Sequence, residues 1–304
     1  KFQLKRTKKR DDNLFMSNLR DIAVAELRKN IVQTQEGLLL LAGGHQFRTF
    51  WVRDFCFSVP GLLAIGEADL VQRQLEICFK FQREDGLIAR GFDVVNPKFR
   101  VVCHSFGLQN LKRFSYEDRA LCPEYLGEHG TPAVDSNLLT LLAVAQWTSH
   151  TKNQVFYQKY AKQICKALDF VWQSQKNGLL HQPGFSDWQD SARRSGAGFY
   201  LNLLFLKVLN ALLSVSEVKH EWMSKNISGS ISESILDFGF INAFRDRLWR
   251  SFFDSSKGLF VSQIDLAGVQ KKQYSLETQL WCIEENLFSQ QISDQQLWMN
   301  LRRS

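Results

Sequence analysis

The sequence predicts an all-α protein in which helical hairpins follow one another around a ring. Two observations support this fold class. Apolar residues recur at helical spacing along most of the 304-residue chain, and no convincing alternation of apolar and polar residues indicates a strand. A short polar–Gly–Leu–apolar segment also returns four times, each time after a predicted helix. Repeated helix pairs with a short return segment are typical of a closed ring or a solenoid of hairpins.

Apolar periodicity predicts nine or ten helices. A long stretch at 88–133 lacks this periodicity, and such a stretch in a compact domain is usually functional or contains short strands. The predicted helices, in chain order, are 12–33, 57–65, 68–81, 136–148, 154–173, 199–215, 232–253, 275–288 and 294–301.

The four repeated segments are EGLLLLAG from Glu36, DGLIARGF from Asp85, NGLLHQPG from Asn177 and KGLFVSQI from Lys257. Their glycines are separated by 49, 92 and 80 residues, which correspond to one, two and two units of a helical hairpin. Glycine fits the left-handed position that ends a helix. We therefore expect each of these glycines to end a helix, with the apolar residues after it folding back onto that helix.

Positive charge is concentrated at the N-terminus. The first ten residues contain six Lys or Arg and no acid, so the net charge of +7 falls to +1 for the remaining 294 residues. Residues 1–11 are predicted to be a basic, solvated tail on a domain at 12–304, and the nearly neutral domain argues against nucleic acid as a partner. No run of 18 apolar residues indicates a transmembrane helix, and no apolar segment follows the basic start as in a signal peptide.

The six cysteines are scattered, and most lie in apolar helical stretches without a CxxC pair. This usage predicts reduced core thiols in a cytoplasmic protein. No spacing of Cys and His suits zinc, so no metal site is expected.

Three loops rich in carboxylates and aromatic residues each precede a predicted helix. The first contains Arg53 and Asp54 within an apolar run, where charges must be paired or hydrogen-bonded. The second contains Asp135, with Glu124, Glu128 and His129 before it. An aspartate ahead of a helix can cap it, and an Arg–Asp pair can brace a helix start. Capping explains one carboxylate in each loop, but it does not explain three such loops.

The third loop, GFSDWQDSARRSGAGFYLN at 184–202, suits catalysis best. It places Asp187 and Asp190 around Trp188. A carboxylic acid beside an indole ring loses hydration of its charged form, which raises its pKa. A general acid that protonates a glycosidic oxygen at neutral pH needs such a pKa. Arg193 and Arg194 would oppose the shift if they pointed inward.

These loops resemble a known family. FRTFWVRDFCFSVPGLLAIGE resembles the W-x-R-D segment of the amylo-α-1,6-glucosidase domain of glycogen debranching enzymes, and DWQDSARRSGAGFYLNLLFLKVLNALL is similar to that family's D-W-M-D segment and the helix after it. TPAVDSNLLTLLAV resembles the Asp-Ser segment of the related neutral/alkaline invertases. The resemblance runs from Glu36 to Leu213 and implies an (α/α)6 toroid of helical hairpins.

The activity that this resemblance implies is inverting hydrolysis of an α-glucan or related glucoside, so the expected partner is an oligosaccharide or polysaccharide and no cofactor is needed. One acid protonates the leaving oxygen, and a second carboxylate about 6.5–9.5 Å away activates water. The matching residues are Asp190 as the general acid and Arg53, Asp54, Asp135, Asp187 and Trp188 as the lining of the sugar pocket.

The second carboxylate has no match in this chain. In these families it is a Glu far downstream, but only 114 residues follow Asp190. Glu277, Glu284 and Glu285 lie in YSLETQLWCIEENLF, where Glu277 is interpreted as a helix cap. The toroid is therefore expected to be incomplete at its C-terminal end. Two alternatives stay open: an invertase-like enzyme that hydrolyses sucrose, and a catalytically inactive carbohydrate-binding protein.

Overall fold

Helices make up most of the part of the chain that the structure describes. The computed structural model describes residues 19–44, 48–96, 99, 102, 116–117, 119–127, 129–188, 192–215 and 234–303. The helices are α1 (19–29), α2 (Val52–Ala64), α3 (Ala68–Lys80), α4 (Val134–Thr151), α5 (Gln154–Lys159), α6 (Ala161–Trp172), α7 (Phe199–Val215), α8 (Phe238–Phe252), α9 (Leu276–Glu284) and α10 (Asp294–Arg303).

Twelve short strands in the described ranges form five antiparallel sheets of two or three strands. The sheets are β1–β2, β3–β4–β5, β6–β7, β8–β11–β12 and β9–β10. Their strands are β1 (Ile31–Thr34), β2 (Gly37–Leu40), β3 (Phe50–Trp51), β4 (Gly91–Asp93), β5 (Cys122–Glu124), β6 (Gln175–Lys176), β7 (Leu179–Leu180), β8 (Ala197–Gly198), β9 (Phe253–Asp254), β10 (Leu259–Phe260), β11 (Gln263–Ile264) and β12 (Gln270–Lys271).

The predicted all-α class, and with it the (α/α)6 toroid as an all-helical fold, is wrong. The chain is a mixed α/β protein in which small sheets connect the helices. The strands escaped prediction because they are two to four residues long, too short to show an alternating pattern. The predicted helix at 12–33 runs into β1, since helical structure ends at residue 29 and Ile31 begins a strand.

The four repeated glycines have positive φ as expected, but they do not end helices. Gly178 and Gly258 lie in the turns of the hairpins β6–β7 and β9–β10, and Gly86 lies in a turn after α3. Gly37 is the first residue of β2, directly after the turn of the hairpin β1–β2. Each segment therefore returns the chain as a turn and a short strand. The helix-end interpretation failed because a left-handed glycine serves a hairpin turn equally well.

Each repeated segment is held by a buried amide side chain from a later helix. The backbone N–H of Leu40, Ile88, Leu180 or Phe260 donates to the side-chain oxygen at 2.8–3.3 Å. A fully buried amide satisfies backbone groups that would otherwise be unpaired away from water. The four amides are Gln74 on α3, Asn137 on α4, Asn202 on α7 and Gln279 on α9, and each is fully buried. The sequence repeat thus corresponds to a repeated structural unit of a glycine turn, an apolar return segment and an amide-bearing helix.

Helix α4 lies at the centre of the hydrophobic core. It packs along α2 on one side and α7 on the other, with α3 and α6 behind it. The side chains of 134–141 are all buried, the polar ones included, so the core encloses the first two turns of this helix on every side. The N-terminal ends of α2, α4 and α7 meet, because Arg53, Asp135 and Tyr200 from their first turns are in contact. This common end carries the candidate site.

None of the helices in the described ranges has the length and apolar character needed to cross a bilayer.

Candidate functional site

A buried ion pair joins the first turns of α2 and α4. Arg53 donates from Nε to Asp135 Oδ2 at 2.9 Å and from Nη2 to Oδ1 at 3.0 Å. Asp135 is fully buried, and Tyr200 from α7 donates its hydroxyl to Oδ2 at 3.4 Å. Burial raises the pKa of Asp135, and the charge and hydrogen bonds of Arg53 oppose that rise. Burial and the neighbouring Asp135 likewise raise the pKa of Tyr200 well above its usual range.

Asp187 lies close to this ion pair, on the loop ahead of α7. Its Oδ2 accepts hydrogen bonds from Gln182 Nε2 at 2.7 Å and from Arg194 Nη2 at 2.8 Å. The side chain is only 3% exposed. Its negative charge contributes to the raised pKa of Asp135, so the two carboxylates lie close enough for their charges to interact. Arg194 therefore points inward, as the sequence allowed, whereas Arg193 is exposed.

Backbone contacts fix the Asp187 loop against the start of α4. The N–H of Val134 donates to the carbonyl of Ser186 at 3.2 Å, and the hydroxyl of Thr131 donates to the carbonyl of Phe185 at 3.1 Å. Phe185 has φ +64°, a left-handed conformation that is unusual for a bulky residue, and its ring lies 3.9 Å from that of His129. This strained backbone occurs where the loop presents Asp187 to Asp135, a location typical of functional sites.

A small sheet positions the residues that lead into α2. Trp51 on β3 pairs with Gly91, which pairs with Glu124 on β5. The guanidinium of Arg90 lies 4.8 Å from the centre of the Trp51 ring and 3.8 Å from the Glu124 carboxylate. Gly91 is required here because a Cβ would collide with the Trp51 ring. The sheet thus orients Trp51 directly before Arg53.

Asp54 and Trp188 are the exposed members of the predicted set. Asp54 lies in the first turn of α2, and partial burial raises its pKa against the lowering effect of Arg53. Trp188 is 37% exposed, directly after the buried Asp187. An exposed carboxyl and an exposed indole beside a buried charged network can provide a polar group and a stacking surface for a ligand.

Helix α9 brings a fourth helix start toward the same region. Trp281 lies 5.5 Å from the Tyr200 ring and 6.4 Å from that of Phe57. Glu277 lies one helical turn before Trp281, on the same face of α9. Its Oε1 is buried and has no hydrogen-bond partner among the described residues. Glu277 was interpreted as a cap, but the N-cap residue is Ser275, so that interpretation is wrong.

The structure brings together three of the predicted residues that lie far apart in the sequence. Arg53, Asp135 and Asp187 form one buried network, and Asp54 and Trp188 lie beside it in the chain. The sequence suggested that Asp135 caps α4, but Asp135 lies in the first turn of that helix and pairs with Arg53. Arg53 therefore does not use Asp54 as its main partner at the start of α2. Tyr200 and Gln182 were missed because nothing in an aromatic-rich helix or a loop distinguishes them from core residues. Asp190, Glu128 and the tail at 1–11 lie outside the described residues.

No family model matches the chain, and no curated protein matches it in sequence. Two solved structures that share the fold are rhamnosidases by title. A rhamnosidase from Klebsiella oxytoca with rhamnose bound superimposes with a TM-score of 0.60 at 14% identity, over 88% of this chain and 44% of that one. The GH78 family rhamnosidase of Bacillus sp. GL1 gives 0.57 at 16% identity, over 82% and 22%. The chain therefore spans less than half the length of either enzyme, and the likeness concerns the fold.

The described residues offer no group of three or more His, Cys, Asp or Glu placed to hold a metal ion. The chemistry available in the described network is that of carboxylates, guanidinium groups and aromatic rings. Such groups hydrogen-bond hydroxyls and stack on the apolar faces of a sugar ring.

Proposed function

We propose that this protein is a glycoside hydrolase whose site lies at the joined N-terminal ends of α2, α4 and α7. The observation that carries the proposal is the Arg53–Asp135 ion pair with Asp187 beside it. These residues come from two helix starts and a loop, and they converge although 82 and 52 positions separate them in the sequence. A buried network of this kind costs desolvation energy, and clusters of perturbed carboxylates mark functional sites. The fold shared with two rhamnosidases supports the same class of reaction.

In this proposal Asp190 is the general acid. It follows the buried Asp187 by three residues, so no more than about 11 Å of chain separates the two Cα atoms. Asp54 and Trp188 bind the sugar from the exposed side of the network. The Asp54 carboxyl accepts hydrogen bonds from sugar hydroxyls, and the Trp188 ring stacks on the sugar ring. Arg53 and Asp135 hold the floor of the site and keep its geometry. The reaction proposed is inverting hydrolysis, in which water attacks the face opposite the leaving group.

Two substrate classes have separate support. The W-x-R-D and D-W-x-D segments resemble those of amylo-α-1,6-glucosidases, which favours an α-glucan or related glucoside. The Klebsiella oxytoca rhamnosidase has rhamnose bound, which favours an α-rhamnoside. We place the glucoside first because its motifs are in this chain's own sequence.

Release of sugar from a matched panel tests the proposal. The panel contains p-nitrophenyl α-D-glucoside, a branched α-1,6-linked dextrin, p-nitrophenyl α-L-rhamnoside and sucrose. Turnover of one substrate should fall by about 10²-fold or more in Asp190→Asn, the usual effect of losing a general acid. Asp69→Asn, which changes an exposed aspartate on α3, is the control and should keep full activity.

Each outcome has a distinct meaning. Hydrolysis of the rhamnoside alone would refute the glucoside assignment but keep the class, and hydrolysis of sucrose alone would favour the invertase-like reading. Full activity in Asp190→Asn would refute Asp190 as the acid. Sugar binding without turnover, unchanged by Asp190→Asn, would replace the enzyme by a carbohydrate-binding protein.

A further inference from the structure

A cavity lies at the C-terminal ends of the central helices α4 and α7, away from the proposed catalytic site. Its volume is about 530 Å³, within the range of pockets that bind small molecules. It lies between α4, α7, α8 and the segment after α9. Lys207 follows Tyr200 by seven residues and Gln146 follows Asp135 by eleven, so the cavity is roughly 10–16 Å from the ion pair along the helix axes. It is therefore separate from the proposed catalytic site.

The lining of this cavity is rich in hydrogen-bonding groups. Amides and charged groups dominate it, and serine hydroxyls add to them. Asn210 donates its side-chain N–H to the Leu206 carbonyl at 2.9 Å, which leaves the amide oxygen to accept a hydrogen bond from a ligand. The polar lining residues on which the argument rests are Gln146, Lys207, Asn210, Arg245, Glu285 and Gln290. A lining that offers both donors and acceptors suits a ligand with several hydroxyl groups.

Positive charge in the cavity is only partly balanced. Lys207 pairs with Glu285 at 2.8 Å and lies 4.4 Å from the centre of the Trp281 ring. Among the described residues that line the cavity, Glu285 is the one acidic residue, and Arg245 has no carboxylate of that set to balance it. The described lining therefore carries one net positive charge and favours an anionic ligand.

Arg245 also has an unused hydrogen-bonding edge. Its Nη1 donates to Asn242 Oδ1 at 2.8 Å. Its Nε is buried and has no hydrogen-bond partner among the described residues, and a buried donor that is left unpaired costs free energy. Through the N–H groups on its Nε edge, a guanidinium can bind two oxygens of a carboxylate or phosphate at once.

We propose that this cavity binds a small hydroxylated anion, namely a sugar that carries a carboxylate or phosphate group. Arg245 holds the anionic group, and Gln146, Asn210 and Glu285 hold the hydroxyls. The proposal does not depend on glycosidase activity, because its observations come from the far end of the helices.

Isothermal titration calorimetry at constant ionic strength tests it with three probes: glucuronate, glucose 6-phosphate and neutral glucose. At least one anionic sugar should bind at a single site and more tightly than glucose. Arg245→Gln should weaken that binding by about 10-fold or more, because it removes a charge-assisted hydrogen bond. Arg250→Gln, on the exposed side of the same helix, is the matched control and should change affinity by less than about 2-fold. The preferred probe identifies the anionic group as carboxylate or phosphate.

Further variants keep the test decisive. If Arg245→Gln fails to fold, Arg245→Lys retains the charge but loses the fork, and it should still weaken binding several-fold. Asn210→Ala should weaken it as well without changing the charge. The proposal is overturned if neither anion binds at about 10 mM, if glucose binds as tightly as the anions, or if the Arg245 variants bind normally. Binding that persists in those variants but is lost in Arg53→Met would assign the sugar to the proposed catalytic site instead.

Discussion

Replacement of Asp135 by Asn tests the buried ion pair that underlies the site. Asp135 is fully buried and accepts two hydrogen bonds from Arg53 and one from Tyr200. Breaking a buried pair by removing one partner costs about 3–5 kcal/mol, because the other charge is left uncompensated. Asparagine keeps one acceptor oxygen, and the Arg53 side chain is 23% exposed and reachable by water. We therefore expect the lower end, a loss of about 3 kcal/mol in the free energy of unfolding.

Urea denaturation followed by circular dichroism measures this loss. With a slope of about 3 kcal/mol per molar urea for a chain of this size, the midpoint should fall by roughly 1 M. The control is Glu26→Gln, which breaks an exposed pair with Lys29 and should cost less than about 0.5 kcal/mol. The double variant Arg53→Met/Asp135→Leu should recover most of the loss, since apolar residues of similar volume often replace a buried pair. Equal midpoints for Asp135→Asn and Glu26→Gln would refute the reasoning.

Three further predictions concern stability. Asn202→Ala removes the amide that pairs buried backbone groups, and it should lower the free energy of unfolding, measured by urea denaturation, by about 3 kcal/mol. The control Asn242→Ala changes an exposed residue and should lower it by less than about 1 kcal/mol. Similar losses in the two variants would show that the buried amide is not needed. Gly66→Ala should lower the free energy of unfolding by about 1 kcal/mol, and Gly86→Ala should lower it several times more. Both glycines have positive φ, but only Gly86 has backbone atoms where the new Cβ would lie. Equal losses in the two variants would contradict this. Burial and a nearby lysine lower the pKa of His181 in the folded chain. Below about pH 6.5 the unfolded chain therefore binds a proton at this histidine that the folded chain does not bind, and the free energy of unfolding should fall as the pH drops further. His181→Gln should show a smaller fall between pH 7 and pH 5, and an identical pH profile would exclude this residue as the cause.

Long helices and their apolar faces could be predicted from the sequence. The prediction for 199–215 matches α7, and 68–81 matches α3 to within one residue, because both carry uninterrupted periodicity between turn residues. The strands could not be predicted, since β3 and β8 contain two residues each and depend for their hydrogen bonds on partners 40–42 and 65–67 positions away.

The candidate site could be predicted as a set of residues but not as a network. The occurrence of carboxylates near the starts of three predicted helices was enough to select Asp54, Asp135 and Asp187 as candidates without comparison to other sequences. The partner of Asp135 could not be identified in this way, because Arg53 lies 82 residues earlier and local capping rules favour nearer partners. Tyr200 stayed hidden for a related reason, as its role depends on which face of α7 meets α4.

The central claim, that the joined helix ends hydrolyse a glycoside, is tested most directly by following the wild-type chain with its panel substrates by proton NMR. This measurement shows both the cleavage of the linkage and the configuration of the sugar first released. The account predicts cleavage of an α-glucoside or α-rhamnoside with the β-anomer appearing first, as inversion requires. Intact glycosides after prolonged incubation with a chain that binds the same sugars would contradict it.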